Sequence, residues 1–234
     1  MQANFPESDL VTSVAGASDG SDDAFVGYAR WTSPANGGGI HVERWDALGN
    51  PLWQKTVSTV AFDYLSNVLV SNDGRLYVSG TTVAEVAGPP LGNSDGFVLE
   101  LDPATGDFLN GAQFGTAGAE WIHSMSVDSS GVLYLAGVTN EGLVPGYQGD
   151  GTYVPFVLEF SADLNPLGTW QRNPPAQFAD ETILTVPTGC NGGVLLAGSA
   201  TLALPGLPAL GREDAQVLAV QPLDSIFIDD FEIH

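Results

Sequence analysis

A serine in a Gly-x-Ser-x-Gly pattern is the first candidate for chemistry in this chain. Residues 16–20, Gly-Ala-Ser-Asp-Gly, match the nucleophile elbow of serine hydrolases, where the serine stands on a sharp turn between a strand and a helix. The residues before Ser18 read as a strand, but residues 21–25 read as a polar turn that leads into another strand. We therefore expect Ser18 to lie in a turn between two strands, and we predict no catalytic residue there.

Three aspartates in the same stretch are a candidate for metal binding. Asp19, Asp22 and Asp23 carry carboxylates, and Ca²⁺ takes several oxygen ligands at once. The stretch matches neither an EF-hand loop nor a glycine-rich nonapeptide, so a solvated turn is the competing interpretation. Asp95 and the pair Glu213-Asp214 follow at similar places later in the chain, which favours a role in turns. Calcium stays an alternative, and no other cofactor is predicted.

The histidines and the cysteine offer no zinc site. His41, His123 and His234 are far apart, and the sequence contains no His-Glu-x-x-His motif. Cys190 is the only cysteine, so no disulfide can form within the chain.

The large aromatic residues are expected in the core. Five tryptophans are spread through the chain, and we expect most of them between packed sheets: Trp31, Trp45, Trp53, Trp121 and Trp170. Residues 102–106, Asp-Pro-Ala-Thr-Gly, are similar to a turn of quinoprotein propellers. The tryptophan pattern of those proteins is not repeated here, so no quinone cofactor is predicted.

The charge of the chain limits its partners. The formal net charge is −22, and the six Lys and Arg residues are spread along the whole sequence. Nucleic acids and anionic membranes are therefore poor partners, because neutralising phosphate requires clustered cations. A cationic partner or a divalent metal is electrostatically easier, although solubility alone also explains the acidity. No apolar run is long enough to span a bilayer, and residues 1–7 do not resemble a signal peptide.

A repeat organises the chain. Residues 72–80, 129–137 and 191–198 are similar short apolar runs that end in a glycine. Gly16 fits the same pattern loosely. Each run has apolar residues on both faces of a strand, so both faces must be covered. The blades of a β-propeller bury their inner strands in this way.

Each unit reads as a meander of four strands. A second strand motif recurs at residues 23–26, 95–98, 154–157 and 214–217, and a turn and an aromatic strand follow it in the first three units. Asp-Gly and Asn-Gly pairs supply the positive φ that tight hairpins require. No amphipathic helix is evident. Long loops at residues 81–94, 140–153 and 201–213, taken to lie between blades, are expected on one side of the ring.

The repeat resembles the SBBP β-propeller repeat of bacterial proteins, with the delta-60 repeat as a near relative. Residues 94–106, 113–118 and 126–139 carry the resemblance, which extends over about residues 10–220. Where the family has a Gly- and Asp-rich segment before the third strand, this chain has Ala119-Glu120-Trp121. The resemblance implies an exported or surface-attached bacterial protein and implies no catalytic residues.

These patterns predict an all-β propeller of four-stranded blades over residues 1–223. We expect blades at about 25–82, 97–139 and 156–200, and a composite blade of strand 10–16 with 214–232 that closes a ring of four. The alternative is a fragment of a larger propeller.

Residues 224–234 are predicted to be a last strand or a tail. They resemble a short Ile-Phe-x-Asp-Gly-Phe-Glu tail found on exported proteins of Gram-negative bacteria, with Asp230 where that tail has glycine. This resemblance favours an extracellular or envelope location, with a signal peptide outside this chain.

The predicted function is a non-enzymatic scaffold that binds a protein or a glycan through its long loops. One alternative is a propeller hydrolase or lyase that acts on polysaccharide through carboxylates near the axis, since the chain has 28 acidic residues. Two carboxylates about 5–10 Å apart in a central pocket would favour the enzyme. A second alternative is a repeat fragment without a function of its own. The oligomeric state is left open.

Overall fold

The computed structural model describes residues 10–18, 20, 23–31, 39–58, 63–147, 151–172, 184–187, 194–200 and 214–220. Regular structure in these ranges is entirely β, and no helix within them is long and apolar enough to cross a membrane. The strands are β1 (Leu10–Ser18), β2 (Ala24–Trp31), β3 (Gly39–Trp45), β4 (Pro51–Ser58), β5 (Asp63–Val70), β6 (Leu76–Thr82), β7 (Asp95–Leu101), β8 (Phe108–Phe114), β9 (Glu120–Val127), β10 (Leu133–Thr139), β11 (Val154–Phe160), β12 (Pro166–Gln171), β13 (Leu184–Pro187), β14 (Val194–Ala200) and β15 (Asp214–Val220).

The strands form four antiparallel sheets, each made of consecutive strands. Sheet 1 contains β1 to β4, sheet 2 contains β5 to β8, sheet 3 contains β9 to β12, and sheet 4 contains β13 to β15 among the described residues. The first strand of each later sheet lies against the sheet before it: β5 against β1, β2 and β3, β9 against β5, β6 and β7, and β13 against β9 and β10. This side-by-side stacking is the β-propeller predicted from the repeat.

The boundaries of the units differ from the predicted ones. The hydrogen-bonded sheets span residues 10–58, 63–114, 120–171 and 184–220, so the predicted blades 25–82, 97–139 and 156–200 each cross from one sheet into the next. β1 pairs with β2, and β15 pairs with β14, so strand 10–16 belongs to the first sheet. A meander has the same strand pattern in any phase, and only the pairing reveals where a sheet ends. Residues 221–232 of the predicted composite blade lie outside the described residues, and closure of the ring stays a prediction.

The repeated apolar run forms the second strand of a sheet and is buried on both faces. In β6, Leu76 packs into a core shared with sheet 1, whereas Tyr77 packs into a core shared with sheet 3. In β10, Leu133 faces sheet 2 and Tyr134 faces sheet 4. Alternate side chains of one strand therefore serve two interfaces, which explains the absence of a polar alternation.

The third copy of the run is open on one side. In the register of β14, Val194 and Leu196 take the places of Leu133 and Leu135 and are buried against sheet 3. Leu195 takes the place of Tyr134, on the opposite face, and is 36% exposed.

The closing glycine of the run is explained by a bulge in the neighbouring strand. β5 and β9 each carry one extra residue, Ser66 and His123, opposite the position of the glycine. A Cβ on Gly80 or Gly137 would collide with the carbonyl oxygen of Tyr64 or Trp121. Gly16 lies in β1, a first strand, and pairs with Val26, whereas Gly80 and Gly137 lie in second strands, so the predicted equivalence of Gly16 is wrong.

Hairpin turns define one side of the sheets, called here the turn face: residues 46–50, 71–75, 102–107, 128–132 and 161–165. These turns also join neighbouring sheets. Pro103 O accepts hydrogen bonds from Trp53 Nε1 (3.0 Å) and Arg44 (2.9 Å) in sheet 1. One sheet further along, Ala162 O accepts one from Tyr77 OH at 2.9 Å. The contact is thus repeated between sheets.

Candidate functional site

The opposite side of the sheets carries the longest described connections. The loop face consists of residues 83–94, which join β6 to β7, residues 140–147, which begin the β10–β11 connection, and the linker 115–119 between sheets 2 and 3. Asn93 N donates to Gly118 O at 2.7 Å, and Glu120 N donates to Ser94 O at 2.9 Å. Loops and linker are therefore joined by their backbones into one surface.

A glutamine at the end of the outermost strand anchors each described loop. Gln113 Oε1 accepts hydrogen bonds from Val86 N (3.0 Å) and Ala87 N (3.3 Å), and its Nε2 donates to Ala84 O (3.0 Å). Gln171 makes the same three bonds one sheet later. Its partners are Leu143 N (2.7 Å), Val144 N (3.3 Å) and Glu141 O (2.7 Å). Each amide satisfies backbone groups that a loop would otherwise leave to solvent.

A threonine at the end of the second strand supports the start of each loop. Thr82 Oγ1 accepts from Ala84 N at 3.0 Å, and Thr139 Oγ1 accepts from Glu141 N at 3.1 Å. Both threonines are completely buried. Because the same device appears in two sheets, it belongs to the repeat.

Two buried carboxylates complete the anchoring. Asp95, 1% exposed, accepts from Leu91 N (2.8 Å), Gly92 N (3.1 Å) and Gln113 Nε2 (2.8 Å). Glu120, 0% exposed, is held by hydrogen bonds from two threonines. The donors are Thr116 N (2.8 Å), Thr116 Oγ1 (2.6 Å) and Thr139 Oγ1 (2.7 Å).

These two carboxylates lie close together but are sealed from solvent. An oxygen of Asp95 and one of Glu120 each lie 2.6 Å from the point where a Cβ on Gly115 would stand. The two oxygens are therefore at most about 5 Å apart, so the pair is close enough to be compared with the two carboxyl groups of a glycosidase. Their burial and their N–H and O–H donors leave no room for a substrate. We assign them to holding the loops.

Apolar and aromatic side chains project from this rigid surface. Tyr64 is 38% exposed, Val83 42% and Leu91 49%. The Tyr64 ring meets the Trp121 ring edge-on, with centroids 5.3 Å apart. Both residues stand at the loop-face end of a first strand, β5 or β9, and these strands lie against each other. The aromatic pair is therefore near the centre of the stack of sheets.

Charged side chains lie on both faces. On the turn face, Arg44 pairs with Asp23 (2.7 Å), Lys55 with Asp107 (2.6 Å), and Arg75 with both Glu100 (2.7 Å) and Asp163 (2.9 Å). The Lys55 ammonium lowers the pKa of the Asp107 carboxyl. On the loop face, Glu85 and Glu141 are exposed carboxylates. Arg30 and Arg172 are the described cations nearest that face, and burial lowers the pKa of Arg172 to about 10.

A second polar constellation lies on the face of sheet 1 that points away from sheet 2. Where the third strands of sheets 2 and 3 place phenylalanine and leucine against the sheet before them, sheet 1 has His41 and Glu43, and Tyr28 stands at the position of the closing glycine. Glu43 accepts from Tyr28 OH (2.9 Å), Gln54 Nε2 (2.7 Å) and Trp45 Nε1 (2.9 Å). Among the described residues, this face of sheet 1 is therefore more polar than the corresponding faces of sheets 2 and 3.

Burial shifts the pKa values of Tyr28 and His41 in this constellation. The rings of Tyr28 and His41 stack with centroids 5.0 Å apart. Burial, and then the neighbouring Glu43 carboxylate, raise the pKa of Tyr28 to about 12. Burial and then the charge of Arg30 lower the pKa of His41. Both groups are thus held in their neutral forms at pH 7.

The residues singled out from the sequence do not converge on one site. Ser18 ends β1 and pairs with Ala24 of the next strand, and its Oγ accepts from Gly20 N at 3.3 Å. Asp23 is bound to Arg44, while Asp19 and Asp22 lie outside the described residues. Across the described ranges, no three His, Cys, Asp or Glu side chains form a group that could hold a metal ion.

The remaining candidates are also separate from one another. His41 lies in sheet 1 and His123 in the bulge of β9, while His234, Cys190 and Glu213 lie outside the described residues. Trp53, Trp121 and Trp170 pack in or against the cores between sheets, and Trp45 points to the other face of sheet 1.

The connectivity of the long loops differs from the predicted one. Residues 83–94 and 140–153 join the second and third strands of one sheet, so they are not loops between blades. Antiparallel pairing of Thr82 with Asp95 brings the two ends of the first loop together. The loop at 201–213 lies outside the described residues. The predicted common side is found for the two loops described.

Sequence reasoning missed the anchoring side chains. Gln113 and Gln171 stand at equivalent positions, each in the last two residues of an outer strand, and a comparison of the repeats strand by strand would have aligned them. In the sequence, Glu120 stands out only as part of the Ala119-Glu120-Trp121 departure from the repeat pattern. Its role depends on Thr116 and Thr139, which are brought to it by the linker and by pairing with β10.

The matches of this chain to known proteins are matches of structure and not of sequence family. No protein-family model and no curated protein matches the chain. Its structure is similar to that of an endo-arabinase from Bacteroides thetaiotaomicron, with 11% identity, a TM-score of 0.48 and coverage of 91% of this chain and 74% of the other. An acylaminoacyl peptidase from Pyrococcus horikoshii has 8% identity and a TM-score of 0.48, and the match covers 94% of this chain and 36% of the other. An endo-1,4-beta-xylanase from Bacteroides thetaiotaomicron has 9% identity and a TM-score of 0.39, and the match covers 92% of this chain and 95% of the other. At these values the similarities carry no argument about activity.

Proposed function

We propose that this propeller is a binding scaffold that takes a protein or glycan ligand on its loop face. The observation that supports the proposal is the anchoring of the loops. Side chains that are buried or half-buried hold the backbone of residues 83–94 and 140–147, while Tyr64, Val83 and Leu91 are left exposed. A surface whose loops are ordered before binding loses little conformational entropy when a ligand arrives.

The test compares the loop face with the outer strands β4, β8 and β12, and three exposed apolar side chains are replaced in each. The loop-face variant replaces Tyr64, Val83 and Leu91 by alanine together. The control variant replaces three half-exposed leucines of the outer strands, at 52–56% exposure, by alanine: Leu52, Leu109 and Leu167. Each protein is screened on an array of neutral and acidic oligosaccharides and on an array of immobilised peptides, and every probe that binds the wild type is then titrated.

The loop-face variant is expected to lose about tenfold or more in affinity, because exposed aromatic and aliphatic anchors dominate recognition. The control variant is expected to bind like the wild type. The proposal fails if the control loses as much, or if the wild type binds no probe on either array.

A propeller hydrolase or lyase acting on polysaccharide stays the alternative function. The close carboxylate pair of Asp95 and Glu120 is the feature that raises it, and their burial argues against it. Each oligosaccharide bound by the wild type is incubated with the protein, and new reducing ends are measured. Their release would replace the binding scaffold by an enzyme. The SBBP relationship and an extracellular or envelope location remain predictions from the sequence.

A further inference from the structure

We infer that the loop face takes a basic peptide segment, one that carries lysine or arginine beside aliphatic residues. The inference rests on the proposed function and adds the chemistry of the partner. Three features of the described residues carry it: the sign of the exposed charge, the aromatic pair of Tyr64 and Trp121, and the exposed apolar side chains of Val83 and Leu91.

The exposed charge of the loop face is negative. Glu85 and Glu141 are exposed, one on each described loop, and the hydrogen bonds of Glu141 to Thr139 and Gln171 use its backbone, which leaves its carboxylate to solvent. The Glu141 side chain lies against the linker at Gly118, two residues before β9 and three before Trp121. It therefore stands beside the strand that carries half of the aromatic pair.

The described lysine and arginine side chains are either ion-paired on the turn face or half-buried. Arg44, Lys55 and Arg75 are all ion-paired on the turn face. Arg30 and Arg172 lie nearer the loop face and are half-buried. A chain with a net charge of −22 also attracts cations at long range, so a basic segment meets a complementary field as it approaches.

The aromatic pair is suited to a cation. The Tyr64 ring is more than one-third exposed, and Trp121 supports it edge-on from the neighbouring sheet. An ammonium or guanidinium group is attracted to the face of such a ring, and tryptophan and tyrosine are the better rings for this contact. Val83 follows Thr82, which pairs with Asp63 next to Tyr64, so an aliphatic contact lies close to the ring.

The combination favours a peptide over the other ligand class of the proposed function. A neutral glycan gains nothing from Glu85 and Glu141, and an acidic glycan is repelled by them. Val83 and Leu91 suit the aliphatic stems and side chains of a peptide, because lysine and arginine bury their stems along apolar surface.

The experiment titrates the protein with a short fluorescent peptide of lysine, leucine and glycine. A second peptide has glutamate in place of lysine, and a neutral oligosaccharide is the third probe. Three single variants are compared: Glu85→Gln and Tyr64→Leu on the loop face, and Asp73→Asn on the turn face, where Asp73 is equally an exposed carboxylate. All three sites are exposed, and circular dichroism checks that each variant is folded.

The wild type is expected to bind the lysine peptide more tightly than either other probe, and less tightly as salt rises. Glu85→Gln and Tyr64→Leu should each weaken binding about 2- to 5-fold. Asp73→Asn should bind like the wild type, which separates recognition by the loop face from attraction by net charge.

Two results overturn the inference. If Asp73→Asn weakens the lysine peptide as much as Glu85→Gln does, the attraction is not local to the loop face. If the neutral oligosaccharide binds more tightly than the lysine peptide and Tyr64→Leu weakens it, the partner is a glycan and the proposed function stands. Failure of the loop-face alanine variant to alter any binding is the separate result that removes the proposed function itself.

Discussion

Gln113 provides the sharpest test of how the loop face is held. Replacing it with alanine removes four hydrogen bonds: two from loop N–H groups, one to Ala84 O and one to the buried carboxylate of Asp95. A neutral hydrogen bond contributes about 0.5–1.5 kcal/mol and one to a charged group about 1.5–3 kcal/mol. The bonds share atoms and are not additive, so we expect a loss of about 2–4 kcal/mol in the free energy of unfolding.

Gln171 is the matched control, because it makes the same loop contacts without a carboxylate partner. Gln171→Ala should therefore cost less, about 1–2.5 kcal/mol. Urea denaturation measures both losses. Amide hydrogen exchange locates them: Gln113→Ala should accelerate exchange at Val86 and Ala87, and Gln171→Ala at Leu143 and Val144. Equal losses, together with unchanged exchange in residues 83–94, would refute the reasoning.

Three further substitutions test other parts of the structure. Leu135 lies in the core between sheets 2 and 3, so Leu135→Ala should lower the free energy of unfolding in urea by about 2–5 kcal/mol. Leu167 is half-exposed, and Leu167→Ala should lower it by less than about 0.5 kcal/mol. Similar losses for the two variants would contradict the burial of the second strand on both faces. Leu164→Gly relieves a φ of 58° but removes a buried side chain, so unfolding free energy should fall by about 1–2 kcal/mol, and a gain would show that strain dominates. His41 has a folded pKa below its ordinary 6.5, so the stability linked to it is present above that pH and is lost as pH falls through the folded pKa. Thermal denaturation between pH 7 and 5 should therefore show a steeper loss for the wild type than for His41→Gln, and parallel curves would argue against this titration.

The strands could be predicted from the sequence because their signals are local. The run around Leu133 and Tyr134 is apolar on both faces and bounded by glycine, and this pattern gives both the strand and its burial between two sheets. The glycine itself proved informative, since the bulge opposite Gly137 excludes a side chain.

The grouping of strands into sheets could not be predicted from the same signals. Loop 83–94 is longer than linker 115–119, which suggests a boundary between units, yet the loop joins two paired strands and the linker crosses between sheets. Loop length carries no information about pairing, so the predicted units were displaced.

The anchors of the candidate site were hidden for a different reason. Gln113 and Glu120 are ordinary polar residues in the sequence, and each finds its partners only when the linker and the neighbouring strands are in place. The polar face of sheet 1 was equally hidden, because His41 and Glu43 depart from the apolar pattern only once the correct strands are aligned.

The most direct test of the loop face as the binding surface is a footprint on the wild-type protein. Amide hydrogen exchange is measured with and without the tightest-binding probe from the arrays. We expect added protection in residues 83–94, 115–119 and 140–147, and none in the turns at 46–50 and 102–107. Protection confined to those turns, with unchanged exchange across the loops, would contradict the account.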